Sequence, residues 1–319
     1  GKVAAAVEGL KWVAVFAMLT GCGHKSTEVR IAVQPPSTNN YPTHLAQWLG
    51  FYQQEGVNVS ISQIAGASKV LEAVVGGSAD VGGGVYEQTI QMAAEGREIV
   101  SFVSLLRSPN FAILGRSSEL KGKAVGVSSP GSPSQFYANH FALAQGLAPG
   151  DVSYVGIGMG ATALAALQNK QVDAAVLFGS AITEASSRGE FMILADSRTP
   201  EGLRKIFGVD DYPASCLLAR GEWLRANPDS ARRVARALLR SLAWIREHSA
   251  EEILAKIPPE FRAASELEAI RAAKQMYSID GKLRAGSAEA VRGVLAESIP
   301  KVKDSKIDLE RTYTNEFVR

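Results

Sequence analysis

Seven consecutive residues, SSPGSPS at 128–134, carry the densest chemistry in this 319-residue chain. Ser128, Ser129, Ser132 and Ser134 each offer a hydroxyl that donates and accepts. Pro130 and Pro133 stiffen the segment, and Gly131 lets a ligand approach the backbone closely. A short apolar stretch at 124–127 reads as a strand before it, and 136–145 as an amphipathic helix after it. Unpartnered N–H groups and the helix dipole favour an anion or a carbonyl at such a helix start. The plainer alternative is that Ser132 or Ser134 only caps the helix.

A loop of this kind acts only where its neighbours hold it, and the surrounding pattern occurs twice. In the first half a strand is expected at 29–33, a polar loop at 34–41, a helix at 43–55 closed by Gly56, and a strand at 57–64. A helix then runs from Gly66 to Gly76, followed by a short strand at 80–82, a glycine turn at 82–84 and a helix headed by Tyr86 and Glu87. The second half repeats the sequence: strand 124–127, serine loop, helix, Gly146, strand 152–157, a helix from Gly160, then Asp173 and another short strand. Asp80 and Asp173 hold corresponding places, and Gly56 to Asp80 spans about the same length as Gly146 to Asp173. Strands alternating with helices predict parallel βαβ units, here in two similar α/β domains. Apolar strands at 111–114 and 215–218 are expected to cross between them as a hinge. Residues 223–277 are helical, with a start at Asn227–Pro228 and a break at Pro258–Pro259, and are expected to pack on the first domain.

Composition excludes several classes of function. The 34 Lys and Arg residues are interspersed with 32 Asp and Glu, giving a net charge of +2 and no basic stripe for nucleic acid. The apolar content rules against disorder. No CxxC or histidine cluster suggests a metal, no cofactor is expected, and the four histidines are scattered. Cys216 sits in an apolar run and is expected as a buried free thiol.

At the start, Lys2 and Lys11 precede an apolar run at 12–19, too short to span a bilayer but suited to a signal-peptide core. It ends in Leu19, Thr20, Gly21 and Cys22, which resembles the bacterial lipobox. That resemblance implies a signal peptide over 1–22, lipidation of Cys22 and a tether over 23–28. The body of the chain carries, in order, Pro42 to Ala46 with GFYQQEGVNV, then GGSADVGGG, LKGKAVGVSSPGSPSQF, LQNKQVDAAVLF and YTNEFV. Together these resemble the type II periplasmic substrate-binding proteins of ABC importers, in the nitrate, sulfonate and taurine (NMT1/THI5-like) group.

The resemblance implies two doubly wound, Rossmann-like α/β lobes joined by a two-strand hinge: lobe I from 29–113 plus 215–319, lobe II from 114–214. It implies a monomeric receptor in the periplasm or at the cell surface, anchored through Cys22, that passes a small-molecule ligand to an ABC permease in the inner membrane. Ligands of open α/β sheets sit beyond the carboxyl ends of the strands. The expected walls are therefore Asn39, Asn40, Tyr41, Ser68, Tyr86 and Glu87 from lobe I. From lobe II they are Ser128, Ser129, Gly131, Ser132, Ser134, Phe178 and Gly179. The serines suit an acidic or carbonyl-bearing ligand, whereas Glu87, if it faces the cleft, favours an amine or ring N–H; its alternative is an acid stabilised in a first helical turn. The chain departs from the family at Phe178, Gly179 and Ser180, where an acidic contact is usual. The enzyme alternative, a pyrimidine synthase of the same fold, would need a lysine and histidine pair, and none stands out in these loops.

Overall fold

The computed structural model describes residues 28–319; the expected leader, Cys22 and the tether up to Thr27 lie outside them. The chain begins with β1 (Glu28–Val33), α1 (Tyr41–Trp48), α2 (Phe51–Gln54), β2 (Asn58–Gln63), α3 (Ala67–Gly76), β3 (Val81–Val85), α4 (Tyr86–Ala94) and β4 (Ile99–Ser104). It continues through β5 (Phe111–Gly115), β6 (Lys123–Val127), α5 (Pro133–Ala144), β7 (Val152–Gly156), α6 (Gly160–Gln168), β8 (Ala174–Phe178), α7 (Ser180–Ser187), β9 (Met192–Asp196) and α8 (Pro200–Phe207). It then returns as β10 (Ser215–Arg220), followed by α9 (Gly221–Ala226), α10 (Pro228–Glu247), α11 (Ala250–Lys256), α12 (Glu266–Ala273), α13 (Ala285–Ser298) and α14 (Pro300–Asp304).

The strands form two five-stranded sheets, ordered β2-β1-β3-β10-β4 and β7-β6-β8-β5-β9. In each, three parallel strands adjoin an antiparallel one, β10 in the first sheet and β5 in the second. The orders match place for place, so the repeat in the sequence is a repeat of topology. Asp80 and Asp173 show why it includes an aspartate. The Asp80 backbone N–H donates to the Arg30 carbonyl while its carboxylate accepts the Arg30 N–H at 2.9 Å. Asp173 does the same to Ala124, its carboxylate accepting the Ala124 N–H at 2.9 Å. Each aspartate thus extends the ladder between two parallel strands by one side-chain bond, which fixes their register.

Three expectations need correction. Residues 111–114 and 215–218 do not cross between lobes: β5 pairs with β8 and β9 along its length, and β10 with β3 and β4. The crossings are the short segments ahead of them, 105–110 and 208–214, and a boundary at 113 cuts β5. Gly82 to Gly84 form the body of β3, not a turn. A Cβ on Gly82 would lie 2.7 Å from Val74 Cγ2 and 3.2 Å from side-chain atoms of Leu218 and Val70, so only glycine lets α3 lie this close to the sheet. The expected helix at 43–55 is broken into α1 and α2 by Gly50, at φ 75°.

The helical tail packs on both lobes. Helix α10 lies against α1 and α2, where Ser241 donates to the Pro42 carbonyl at 2.7 Å. Helix α13 packs on α4, and its Val291 and Leu295 share an apolar cluster with Phe207 and Tyr212 from the second half. Helix α12 packs against α7. The tail is therefore a brace across the lobes as well as a cover for the first.

Gly82→Ala should overpack the α3 face of β3 and cost about 1–3 kcal/mol. Urea unfolding should show a lower midpoint with an unchanged slope; an unchanged midpoint would mean that Val70 and Val74 can yield.

Candidate functional site

The carboxyl ends of β1, β2 and β3 in one sheet face those of β6, β7 and β8 in the other, and the loops between enclose a cavity of about 970 Å³. The starts of α3, α5, α6 and α7 all contribute to its wall, through Ala67 and Ser68, Pro133 and Ser134, Gly160 and Ala161, and Ser180 and Ala181. Their dipoles point partial positive charge at one space. Gly83, Gly84 and Val85 also line it, as does Cys216, a buried free cysteine whose pKa burial pushes up to about 12.

Of the residues expected in the site, Asn39, Asn40, Ser68, Ser128, Ser129, Gly131, Ser134, Phe178 and Gly179 line this cavity. The serine loop is more self-contained than its composition suggests. Ser134 Oγ accepts the Ser128 N–H at 2.9 Å and lies 2.9 Å from Ser128 Oγ and 2.6 Å from Ser132 Oγ. Gln135 Oε1 accepts the Gly131 N–H at 2.8 Å. These bonds lock the loop, and what it offers a ligand is a rigid edge rather than four free hydroxyls.

Tyr41, Tyr86, Glu87 and Ser132 do not line the cavity, and the expectation for them is corrected. Ser132 is buried as the N-cap of α5, its side chain accepting from the Gln135 N–H. The Tyr41 hydroxyl donates to Glu266, and the Tyr86 hydroxyl pairs with Thr312 Oγ1 at 2.7 Å. Glu87 is buried beneath the cleft, where the Tyr212 hydroxyl donates to it and Tyr137 approaches it. Its other oxygen, Oε1, has no partner. Burial raises its pKa to about 7, against the opposing effect of the two tyrosine hydroxyls. Tyr41, Tyr86 and Glu87 stand in the first turn of a helix immediately after a loop or strand end, and the first turn of α1 and α4 turns them inward.

The structure adds wall residues that the sequence did not single out. Thr38, Asn110, Thr43, Tyr137, Glu184 and Glu266 all line the cavity. Asn110 Nδ2 donates to Thr38 Oγ1 at 3.1 Å, joining the outgoing crossing to the loop after β1. Thr43 Oγ1 and Asn39 Oδ1 are buried without a hydrogen-bond partner among the described residues. Buried polar atoms normally have one, so these two are open positions for a guest or its water. Glu184 stands one turn after Ser180 on α7, a spacing visible in the sequence, whereas Glu266 reaches the site from far along the chain.

Residues 37–252 match the family model described as NMT1/THI5 like. The chain belongs to the NMT1/THI5-like family. Among solved structures, this family member is similar to a protein from Bordetella bronchiseptica RB50, with 33% identity, a TM-score of 0.86, and coverage of 92% of this chain and 96% of that one. It is also similar to the alkanesulfonate-binding protein of Xanthomonas axonopodis pv. citri, at 16% identity, a TM-score of 0.71, and coverage of 91% and 98%. The fold is that of the periplasmic binding proteins. Among curated proteins, the Bacillus subtilis protein YtlA, whose name describes a binding protein, is 22% identical over 74% of this chain and 71% of its own length. A 4-amino-5-hydroxymethyl-2-methylpyrimidine phosphate synthase of Saccharomyces cerevisiae is 24% identical over 66% of this chain and 64% of its own.

Because Glu87 is more easily protonated folded than unfolded, it withdraws stability as pH rises from the ordinary glutamate range near 4.5 to about 7, with the full loss above that. Glu87→Gln should remove this contribution. Urea midpoints at pH 5 and pH 8 should therefore differ less in the variant than in the wild type; an equal difference would show that Glu87 stays charged throughout.

Proposed function

We propose that this protein is an extracytoplasmic solute-binding receptor that captures a small ligand with an acid or carbonyl group and delivers it to an ABC permease. The observation that carries this is the cavity of about 970 Å³ whose walls come from both lobes and from four helix starts. A ligand touching both walls stabilises the closed arrangement over an open one by contacts that only the closed arrangement completes. The permease then needs to recognise only the closed pair of lobes. The names of the Xanthomonas and Bacillus relatives support a binding role.

The yeast synthase supports a second reading, an enzyme of the same fold. Such chemistry would draw on a lysine and a histidine at the cavity. Among the described lining residues Lys69 is exposed and paired with Glu72 at 3.2 Å, and the nearby His44 is buried with Nε2 3.0 Å from the Gln34 carbonyl. Burial lowers the His44 pKa to about 4, which keeps it neutral. His44 is thus held away from the cavity by burial, and no histidine stands among the described lining residues, which favours the receptor. In this reading Cys22 carries the lipid that keeps the monomeric receptor beside its permease.

A thermal-shift screen of the full chain against nitrate, sulfonates, bicarbonate, aromatic acids and pyrimidines tests the receptor reading, because a ligand raises the melting temperature by mass action. Ala161→Glu places a carboxylate at an exposed wall position in the first turn of α6. It should abolish the shift given by an acidic ligand while leaving the unliganded melting temperature unchanged; a persisting shift would put the ligand elsewhere. Cys22→Ser should move the protein from the membrane to the soluble fraction, and continued membrane association would remove the lipid anchor from this account.

A further inference from the structure

Three glutamates line the cavity, and two of them, Glu184 and Glu266, reach it where α7 and α12 pack together. Glu184 projects from α7, in the lobe built on the second sheet, and Glu266 opens α12 in the tail. The helices pack against each other, and Glu266 is buried at 6% exposure. The Tyr41 hydroxyl donates to one of its oxygens. Neither Glu184 nor Glu266 has a salt-bridge partner among the described residues, and the one basic side chain of the described lining, Lys69, sits in an exposed pair with the third glutamate, Glu72. Burial raises the pKa of Glu266 against hydrogen bonds from Tyr41, the Ala263 backbone and Ser180, and the neighbouring Glu184 charge adds a smaller push in the same upward direction. Two like charges at a closing cleft repel unless something positive lies between them.

A second observation points to a guest. Thr43, fully buried on α1, lines the same cavity with an unpartnered Oγ1, and Asn39 Oδ1 is likewise open. Both oxygens can accept a hydrogen bond. The cavity therefore holds acceptors on the lobe I side, carboxylates where the lobes meet, and helix starts around the remaining wall. No arginine lines it among the described residues.

Resting on the receptor reading above, we propose that the ligand is bipolar: it carries a protonated amine or other cationic N–H group, held between Glu184 and Glu266, and an acid or carbonyl group at the helix starts. A bare oxyanion or simple sulfonate leaves the two glutamates uncompensated. The amine makes closure favourable because it is shared between a carboxylate on α7 and one on α12. Glu184 and Glu266 are in this account the residues that set specificity.

Matched pairs that differ only in an amino group test this: taurine against ethanesulfonate, 4-aminobutyrate against butyrate, and 4-(aminomethyl)benzoate against 4-methylbenzoate. Isothermal titration on the full chain should show the amine-bearing member of at least one pair binding tenfold or more tightly than its partner. Glu184→Gln and Glu266→Gln should each lower that affinity at least tenfold while leaving the amine-free compound unaffected or slightly improved. Equal or tighter binding of the amine-free members, or indifference to both substitutions, overturns the inference and leaves the receptor standing. If no member of any pair binds, the inference fails, and the separate broad screen decides whether the receptor reading fails with it.

Discussion

The lobes are held in register by a few backbone hydrogen bonds where the chain crosses between them. The Ser215 carbonyl accepts from the N–H groups of both Leu105 and Leu106, at 2.8 and 3.1 Å, and the Ala214 N–H returns a bond to the Leu106 carbonyl. A third segment joins on the outgoing side, where the Arg107 N–H donates to Met276 and the Ser278 N–H to Leu105. The two crossings are thus tied side by side at one point. A pair of linkers joined this closely permits rotation about their common line far more readily than separation or shear. The cleft, the facing strand ends and any change in the gap between Glu184 and Glu266 all depend on that line.

Buried chemistry under the hinge reinforces it. Tyr212 lies on the return crossing, Glu87 on α4 and Tyr137 on α5, so one carboxyl draws together a linker and a helix from each side. Tyr137 then stacks on Phe111 with ring centroids 4.5 Å apart, which carries the contact to the first strand of the second sheet. A buried carboxyl with one unpartnered oxygen is costly when charged. The cost falls beside the return crossing rather than in the cavity wall.

Much of the fold was legible because the signals were local. Alternating apolar stretches, glycine caps and the paired Asp80 and Asp173 identified two copies of one α/β unit before any topology was known. What stayed hidden depended on contacts between distant segments. Nothing near Gly82 to Gly84 says that Leu218 will lie against them, so the triplet resembled a turn; β5 and β10 were visible as strands, but not which sheet each would join. The site followed the same division. Loops after strands pointed to Asn39, Ser68, Ser128 and Phe178, which line the cavity. Direction within a first helical turn was not readable, which misplaced Tyr41, Tyr86 and Glu87, and Glu266 has no local mark because it reaches the cavity only through the tail.

The strand exchange between the sheets also constrains the order of assembly. The first sheet has a gap between β3 and β4 until Ser215 to Arg220 have been made, whereas every strand of the second sheet lies within one continuous stretch from Phe111 to Asp196. As the chain lengthens, the later half can complete its sheet while the earlier half still exposes two unpaired edges. The sheet begun first is therefore the last to have all its strands available, and the strand that completes it is the one that returns from the other lobe.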